Sequence, residues 1–245
     1  MIAAFWIFVW AFASWRFGKP LLFPSPLTVL KTLLTLLQAP NFYMTTANSF
    51  GNILLGILIA MILSCLLAAL TFALPFFKDL LSPLMAIVKA TPVASFIILA
   101  LIFIGASKVP TFITILIVFP IVWTNLDEGL HKVDPGLREV AKIYQFSPMR
   151  RLRILYLPTV KPYFLSACKS SLGLAWKAGI AAEIIAMPPD TIGTMIGEAK
   201  LYIMTSEMFA WTLTVVLLSL AIEYAFSAFF KLLEKKQKGQ KEVQP

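Results

Sequence analysis

Apolar residues run along this chain in long blocks, and charged residues collect in the gaps between them. A helix needs about 20 mostly apolar residues to cross the hydrocarbon core of a bilayer. Six blocks approach that length, at roughly 2–17, 46–75, 81–105, 109–127, 162–187 and 206–233. The third holds Lys89 and Pro92 and is predicted to kink near Thr91, because an interior proline removes a helix hydrogen bond and crowds the preceding turn. After Pro26 a shorter run keeps helical periodicity. Ser25 is placed to cap it, with Pro26 in the first turn, so a short helix lying in the membrane interface is predicted. The first block is short for a span and shows neither a basic leader nor a small-residue cleavage site. No cleavable signal peptide is expected, and a natural start further upstream stays open.

Composition strengthens the membrane reading. The 245 residues are 59% hydrophobic and only 13% charged, with a mean hydropathy of +0.84. Soluble domains are about half apolar and about a quarter charged. The net charge of +9 could suggest nucleic acid, but the basic residues lie between apolar blocks and in the tail. That distribution marks the cytoplasmic face of a membrane protein, so no nucleic-acid partner is expected. With six spans, one side carries Lys78, the seven basic residues from Lys132 to Lys161, and the five from Lys231 to Lys241. The other carries Arg16, Lys19, Lys31, Lys108 and Lys200. The basic excess puts both termini, the 128–161 loop and the 231–245 tail in the cytoplasm. Cys65, Cys168 and the lone His131 have no metal-ligand spacing, and no nucleophile stands beside an evident base. The fold class is an all-α integral membrane protein with about six transmembrane helices. Residues 1–245 read as one non-catalytic transmembrane domain.

The 128–161 loop is far longer than a link between two helices requires. Asp134-Pro135 and Ser147-Pro148 are each an N-cap followed by a first-turn proline. A helix over about 135–144 places Leu137, Val140, Ala141 and Tyr144 on one face. Gln145-Phe146 breaks it. A second helix carries Arg150, Arg151 and Arg153 and is predicted to end at Pro158. The loop thus reads as a basic, amphipathic helix–turn–helix elbow. Its pattern alone fits a lipid-binding surface as well as a docking surface for a cytoplasmic partner.

Glu139-Val140-Ala141, then Gln145, then Leu155-Tyr156-Leu157-Pro158 resemble the EAA loop of bacterial ABC-importer permeases: Glu-Ala-Ala, three residues, Gly, nine residues, Ile, any residue, Leu-Pro. Val140 departs conservatively. Gln145 stands where the family has glycine, a residue suited to a left-handed turn, so the resemblance leaves open an elbow built differently here. Further along, Gly173-Leu174-Ala175-Trp176-Lys177 and Ala182-Glu183 resemble the nitrate/sulfonate/taurine branch, as do KATPVASFIILALIFIG and the FPSP near residue 23. The likeness covers about residues 20–235. It implies a type I ABC-importer permease fold in the bacterial inner membrane, pairing with a second copy in a homodimer. Leu137, Glu139, Val140, Ala141, Tyr144, Gln145, Ser147, Leu157 and Pro158 would form the coupling helix that docks on an ATPase. A substrate-binding protein or lipoprotein outside would deliver a small anionic or polar solute. No G-x-x-x-x-G-K-[ST] loop occurs in this sequence, so ATP and Mg are expected on the partner ATPase.

Charges inside spans are costly and often functional. Lys89, Lys169, Lys177, Glu183 and Glu223 are the candidates. At 100° per residue, Lys169, Gly173, Trp176, Lys177, Ile180 and Glu183 share one face of the fifth span. They are candidates for a translocation path or gate, with the two lysines favouring an anionic solute. A structural pairing of Lys177 and Glu183, and a snorkelling Lys169, are the competing readings. Residues 187–200 are expected outside as a turn or short re-entrant helix. A secondary transporter or a membrane-embedded enzyme would need an internal repeat or a carboxylate or histidine cluster, and the sequence offers neither.

Overall fold

The computed structural model describes the backbone of residues 2–19 and 21–241, and the side chains of these except Ala3 and 229–241. Among the described residues there are helices and no strands. Helix α1 (Ile2–Phe17) precedes α2 (Pro26–Gln38), α3 (Pro40–Ala73), α4 (Pro75–Ala90) and α5 (Val93–Ile104). A 3-10 turn at Ala106–Lys108 leads into α6 (Val109–His131). The elbow follows as α7 (Pro135–Ile143) and α8 (Pro148–Arg151), and then α9 (Leu157–Ala186), α10 (Ile192–Leu201) and α11 (Thr205–Lys241). The predicted basic tail 231–245 falls on α11 through Lys241; its side chains and residues 242–245 lie outside the described part.

Helices α3, α6 and α9 form the centre of the bundle, with α6 lying between the other two. Small residues set their close approach. A Cβ on Gly56 would come within 2.7 Å of the Thr114 Cβ, and one on Gly179 within 2.5 Å of an Ile53 side-chain carbon. The core they enclose holds Ile53, Ile57, Val118, Val122, Leu172 and Ala175. Helix α2 buries Val29 and Leu33, and Ser25 caps it as expected, accepting from the Thr28 N–H at 3.2 Å. Its neighbour is α11, so it is docked on the bundle as well as amphipathic.

By length and apolar composition α3, α6 with its 3-10 turn, and α11 are each able to cross a membrane, and α4 with α5 make a fourth, bent candidate. Helix α9 is long enough at 30 residues but carries Lys169, Lys177 and Glu183. Helix α1 has 16 residues, about 24 Å against a hydrocarbon core of about 30 Å.

The third predicted span needs correction. The chain bends at Thr91-Pro92 as expected, but by 105° between two separate helices, not as a kink within one helix over 81–105. Pro92 cannot donate to the preceding turn, and it pushes Thr91 into extended backbone (φ −80°, ψ 134°), which stops α4 outright. Helix α5 packs along α6 and α9 through Ile97 and Ala100. Helix α4 buries only Met85 and meets α6 near its C-terminal end. There Lys78 pairs with Asp127 at 2.8 Å, and Lys89 donates to the Thr124 hydroxyl at 2.9 Å.

The two ends of the bundle are told apart by contacts. At one end Phe72 packs edge-on against His131 and Tyr156, beside the Lys78–Asp127 pair. At the other, Asn48 donates to the Asp190 carbonyl and Thr205 to the Leu21 carbonyl. Lys78 on α4 and the elbow residues packed around Tyr156 share the first end.

Candidate functional site

The candidate site is built along α9, a rod of about 45 Å that begins at the elbow and ends beside α10.

At the elbow, local sequence signals act as expected. Asp134 accepts from the Leu137 N–H at 3.1 Å and starts α7; Ser147 accepts from the Arg150 N–H at 3.4 Å and starts α8. Between them Gln145 takes the left-handed conformation (φ 49°). The Phe146 N–H donates to the Ala141 carbonyl at 2.9 Å and the Gln145 N–H to the Lys142 carbonyl at 3.1 Å. These are the two bonds of a Schellman cap, so glutamine here adopts the turn that glycine favours, at a conformational cost. The elbow is therefore not built differently for lack of glycine. Phe146 completes the cap by packing on Ala141, Val133 and Leu155, with the Arg150 guanidinium 4.4 Å from its ring centre.

Two expectations fail at the elbow. Ala141 does not share an exposed face with Leu137, Val140 and Tyr144; it is 1% exposed and fills the elbow's own core. Pro158 does not end the second helix. A π-helical stretch, Leu152–Tyr156, widens the turn ahead of Pro158 and joins α8 to α9 without a break. Pro158 has no N–H to give a carbonyl of the preceding turn, and the widened π turn ahead of it accommodates its ring. The rest of the predicted coupling surface is open. Leu137, Val140, Tyr144 and Leu157 are 51%, 45%, 72% and 55% exposed, Ile143 and Met149 add to the patch, and Glu139, Gln145, Ser147 and Pro158 are exposed beside them.

In mid-span the predicted face divides. Trp176 and Ile180 are buried within the protomer, and the Trp176 indole donates to the Val215 carbonyl of α11 at 3.1 Å. Glu183 is fully buried. These three do not line an open surface. Lys169 and Lys177 are exposed, with Gly173 half-buried between them. They share a cavity with Glu223 of α11, whose carboxylate lies against Gly173: a Cβ there would come within 2.9 Å of Oε1. Among the described residues neither lysine forms an ion pair.

At the far end of α9, beside α10, Glu183 acts as an anchor. Its Oε2 accepts from the Ser49 hydroxyl at 2.8 Å and from the Gly193 N–H at 3.0 Å. Ser49 in turn accepts from the Ile192 N–H at 2.8 Å. The first N–H groups of α10, which have no partner within their own helix, are thus satisfied by α3 and α9. Gly193 is required because a Cβ there would run into Glu183 and the α9 backbone. Met187 and Asp190 adopt positive φ and turn the chain back down, so α10 starts beside Glu183 and runs alongside the last turn of α9. A short helix, one of the two forms expected for 187–200, is thus present at Ile192–Leu201. Sequence reading missed Ser49 altogether. It lies 134 residues from Glu183, and no local pattern marks it.

The comparisons agree with this architecture. Residues 56–239 match the family model described as binding-protein-dependent transport system inner membrane component. The taurine transport system permease protein TauC of Escherichia coli (strain K12) is 24% identical over 230 residues, covering 91% of this chain and 83% of TauC. SsuC of Bacillus subtilis (strain 168), named for aliphatic sulfonates transport, is 24% identical over 87% of this chain and 76% of its own length. A crystal structure of an amino acid ABC transporter with histidines superposes with a TM-score of 0.62 at 17% identity, over 80% of this chain and 94% of that one. The chain therefore belongs to the binding-protein-dependent transport system inner membrane component family, as the membrane permease subunit of an ABC importer.

Proposed function

We propose that two copies of this chain form the path for a small anionic solute, and that a separate ATPase drives it through the elbow. The observation that carries this is the exposed, lysine-bearing surface of α9 in mid-span. An ammonium cannot face lipid tails without a cost of about 2.5–3.5 kcal/mol or more, so this surface belongs against a water-filled path. Lys169 and Lys177 outnumber Glu223 there, which favours an anion. The sulfonate and taurine names of the relatives point to the same class.

The rest of the assembly follows from the two ends of α9. The apolar patch at the elbow suits the groove of an ATPase subunit, and that end faces the cytoplasm with both termini. The 187–204 segment faces outward, where a substrate-binding protein delivers the solute. ATP and Mg act on the ATPase. Because α8, the π stretch and α9 are continuous, movement of the elbow is carried into the lysine-bearing part of the rod.

The test uses the tagged complex purified from native membranes and reconstituted, with Cys65 and Cys168 replaced by alanine and Leu174→Cys introduced on the exposed face. An ATPase subunit should co-purify. Leu174→Cys should react with a water-soluble anionic thiosulfonate faster than with its cationic counterpart, and Lys177→Gln should erase that preference. A chain that purifies alone, or a Leu174→Cys that reacts with neither reagent, would overturn the reading.

A further inference from the structure

We propose that Lys89, at the break between α4 and α5, is a second anion-coordinating group, holding the solute's oxyanion on the inner half of its route past Lys177. This rests on the path reading above and assigns it a residue outside the predicted path.

Lys89 is exposed at the end of α4, and its described partner is a neutral hydroxyl, that of Thr124 at 2.9 Å. Among the described residues the ion pairs are Lys78–Asp127 and His131–Asp127, so the Lys89 charge has no carboxylate against it. Thr124 lies about one turn inside Asp127, where the apolar stretch of α6 ends, and its hydrogen bond holds the ammonium there.

Depth links Lys89 to the lysines of α9. Helices α6 and α9 run antiparallel, with Gly129 beside Tyr163 and Gly179 beside Thr114. This register sets Thr124 level with Cys168 and Lys169, and with it the Lys89 ammonium. Helix α5 starts four residues later and packs on α9 through Ala178, Ala182 and Ala186, whereas Glu223 and α11 cover the Lys169 side. The exposed strip of α9 that carries Lys177, Ser170 and Leu174 lies between them. Lys89 therefore sits below one wall of the strip and Lys169 beside the other, at one depth, with Lys177 about two turns further out. A singly charged sulfonate or carboxylate moving inward meets Lys177 first and then this pair.

The test again uses the assembled, reconstituted complex with Cys65 and Cys168 replaced by alanine, and now with Ala90→Cys. The probes are sulfonatoethyl thiosulfonate, itself a small sulfonate, and the cationic trimethylammonium reagent. Ala90→Cys should react with the sulfonate faster. That preference should fall by about tenfold or more with Lys89→Gln and persist with Lys89→Arg. Lys89→Met gives the same comparison if the glutamine variant does not assemble. An unreactive Ala90→Cys, or a preference unchanged by loss of the lysine, overturns the proposal. If Leu174→Cys keeps its anionic preference in that case, the path reading stands and only the Lys89 assignment falls; if Leu174→Cys is unreactive as well, both fall.

Discussion

The two ends of α9 solve opposite problems. At the α10 end the Ile192 and Gly193 N–H groups are paired inside the protomer, through Ser49 and Glu183. At the elbow the backbone is equally well capped, but apolar side chains are left outside: Ile143 is 76% exposed and Tyr144 72%. The α10 end pairs these donors within one chain, with Glu183 Oε1 buried beside them and without a hydrogen-bond partner among the described residues. The elbow holds its shape alone and leaves apolar side chains uncovered within the chain. A rod anchored at one end and open at the other suits a subunit that receives force at the elbow and transmits it past a solute.

The largest effect that separates the ends is expected from Glu183→Ala. It strips the acceptor from Ser49 and Gly193 in a fully buried site, and each donor left without a partner costs about 1–3 kcal/mol. Thermal unfolding of the purified complex should show a loss of several degrees. Glu183→Gln keeps one oxygen for both donors and should recover much of it. If Glu183→Ala melts like the parent, the α10 end is not an anchor.

At the elbow the effects should divide by depth. Ala141→Arg forces a charge into the small cluster of Val133, Leu155 and Phe146, and should lower both the melting point and ATPase co-purification. Tyr144→Ser and Leu137→Ser change exposed positions, so stability should move by no more than about 0.5 kcal/mol. ATPase retention in a wash series should drop by about tenfold for each that is an anchor of the contact. A Tyr144→Ser variant that melts early yet holds its ATPase would reverse this assignment.

The comparison also explains what the sequence could and could not reveal. The elbow was legible because its signals are local. Asp134-Pro135 and Ser147-Pro148 cap helices within four residues, whatever lies elsewhere. The continuation through Pro158 was not legible, because a proline reads as a stop unless the turn before it widens, and no residue type announces a π turn. The charged face of α9 was half legible. Helical periodicity groups Lys169, Gly173, Trp176, Lys177, Ile180 and Glu183 correctly, but only the placement of α3 and α11 decides which of them are covered. The Ser49–Glu183 contact is tertiary, set by packing between segments far apart in the chain; the break at Thr91-Pro92 is local, and only the size of its 105° turn was not legible.

The smallest expected effect bears on the elbow's turn. Gln145 has a φ of 49°, where a side chain with a Cβ pays about 1–2 kcal/mol relative to glycine. Replacing it by glycine removes that cost, but an unfolded chain with glycine has more freedom to lose, which offsets about 0.4–1 kcal/mol. Gln145→Gly should therefore raise stability by about 0.5 kcal/mol, a rise of about 1–2 °C in melting for a chain of this size. The two cap bonds from Phe146 and Gln145 use backbone groups that glycine keeps, so ATPase retention should not change. If Gln145→Gly melts higher but loses the ATPase, the glutamine side chain is itself part of the docking surface, and the turn is strained for the sake of that contact. If retention is unchanged, the elbow needs only the left-handed turn at this position, and its exposed apolar residues alone carry the contact.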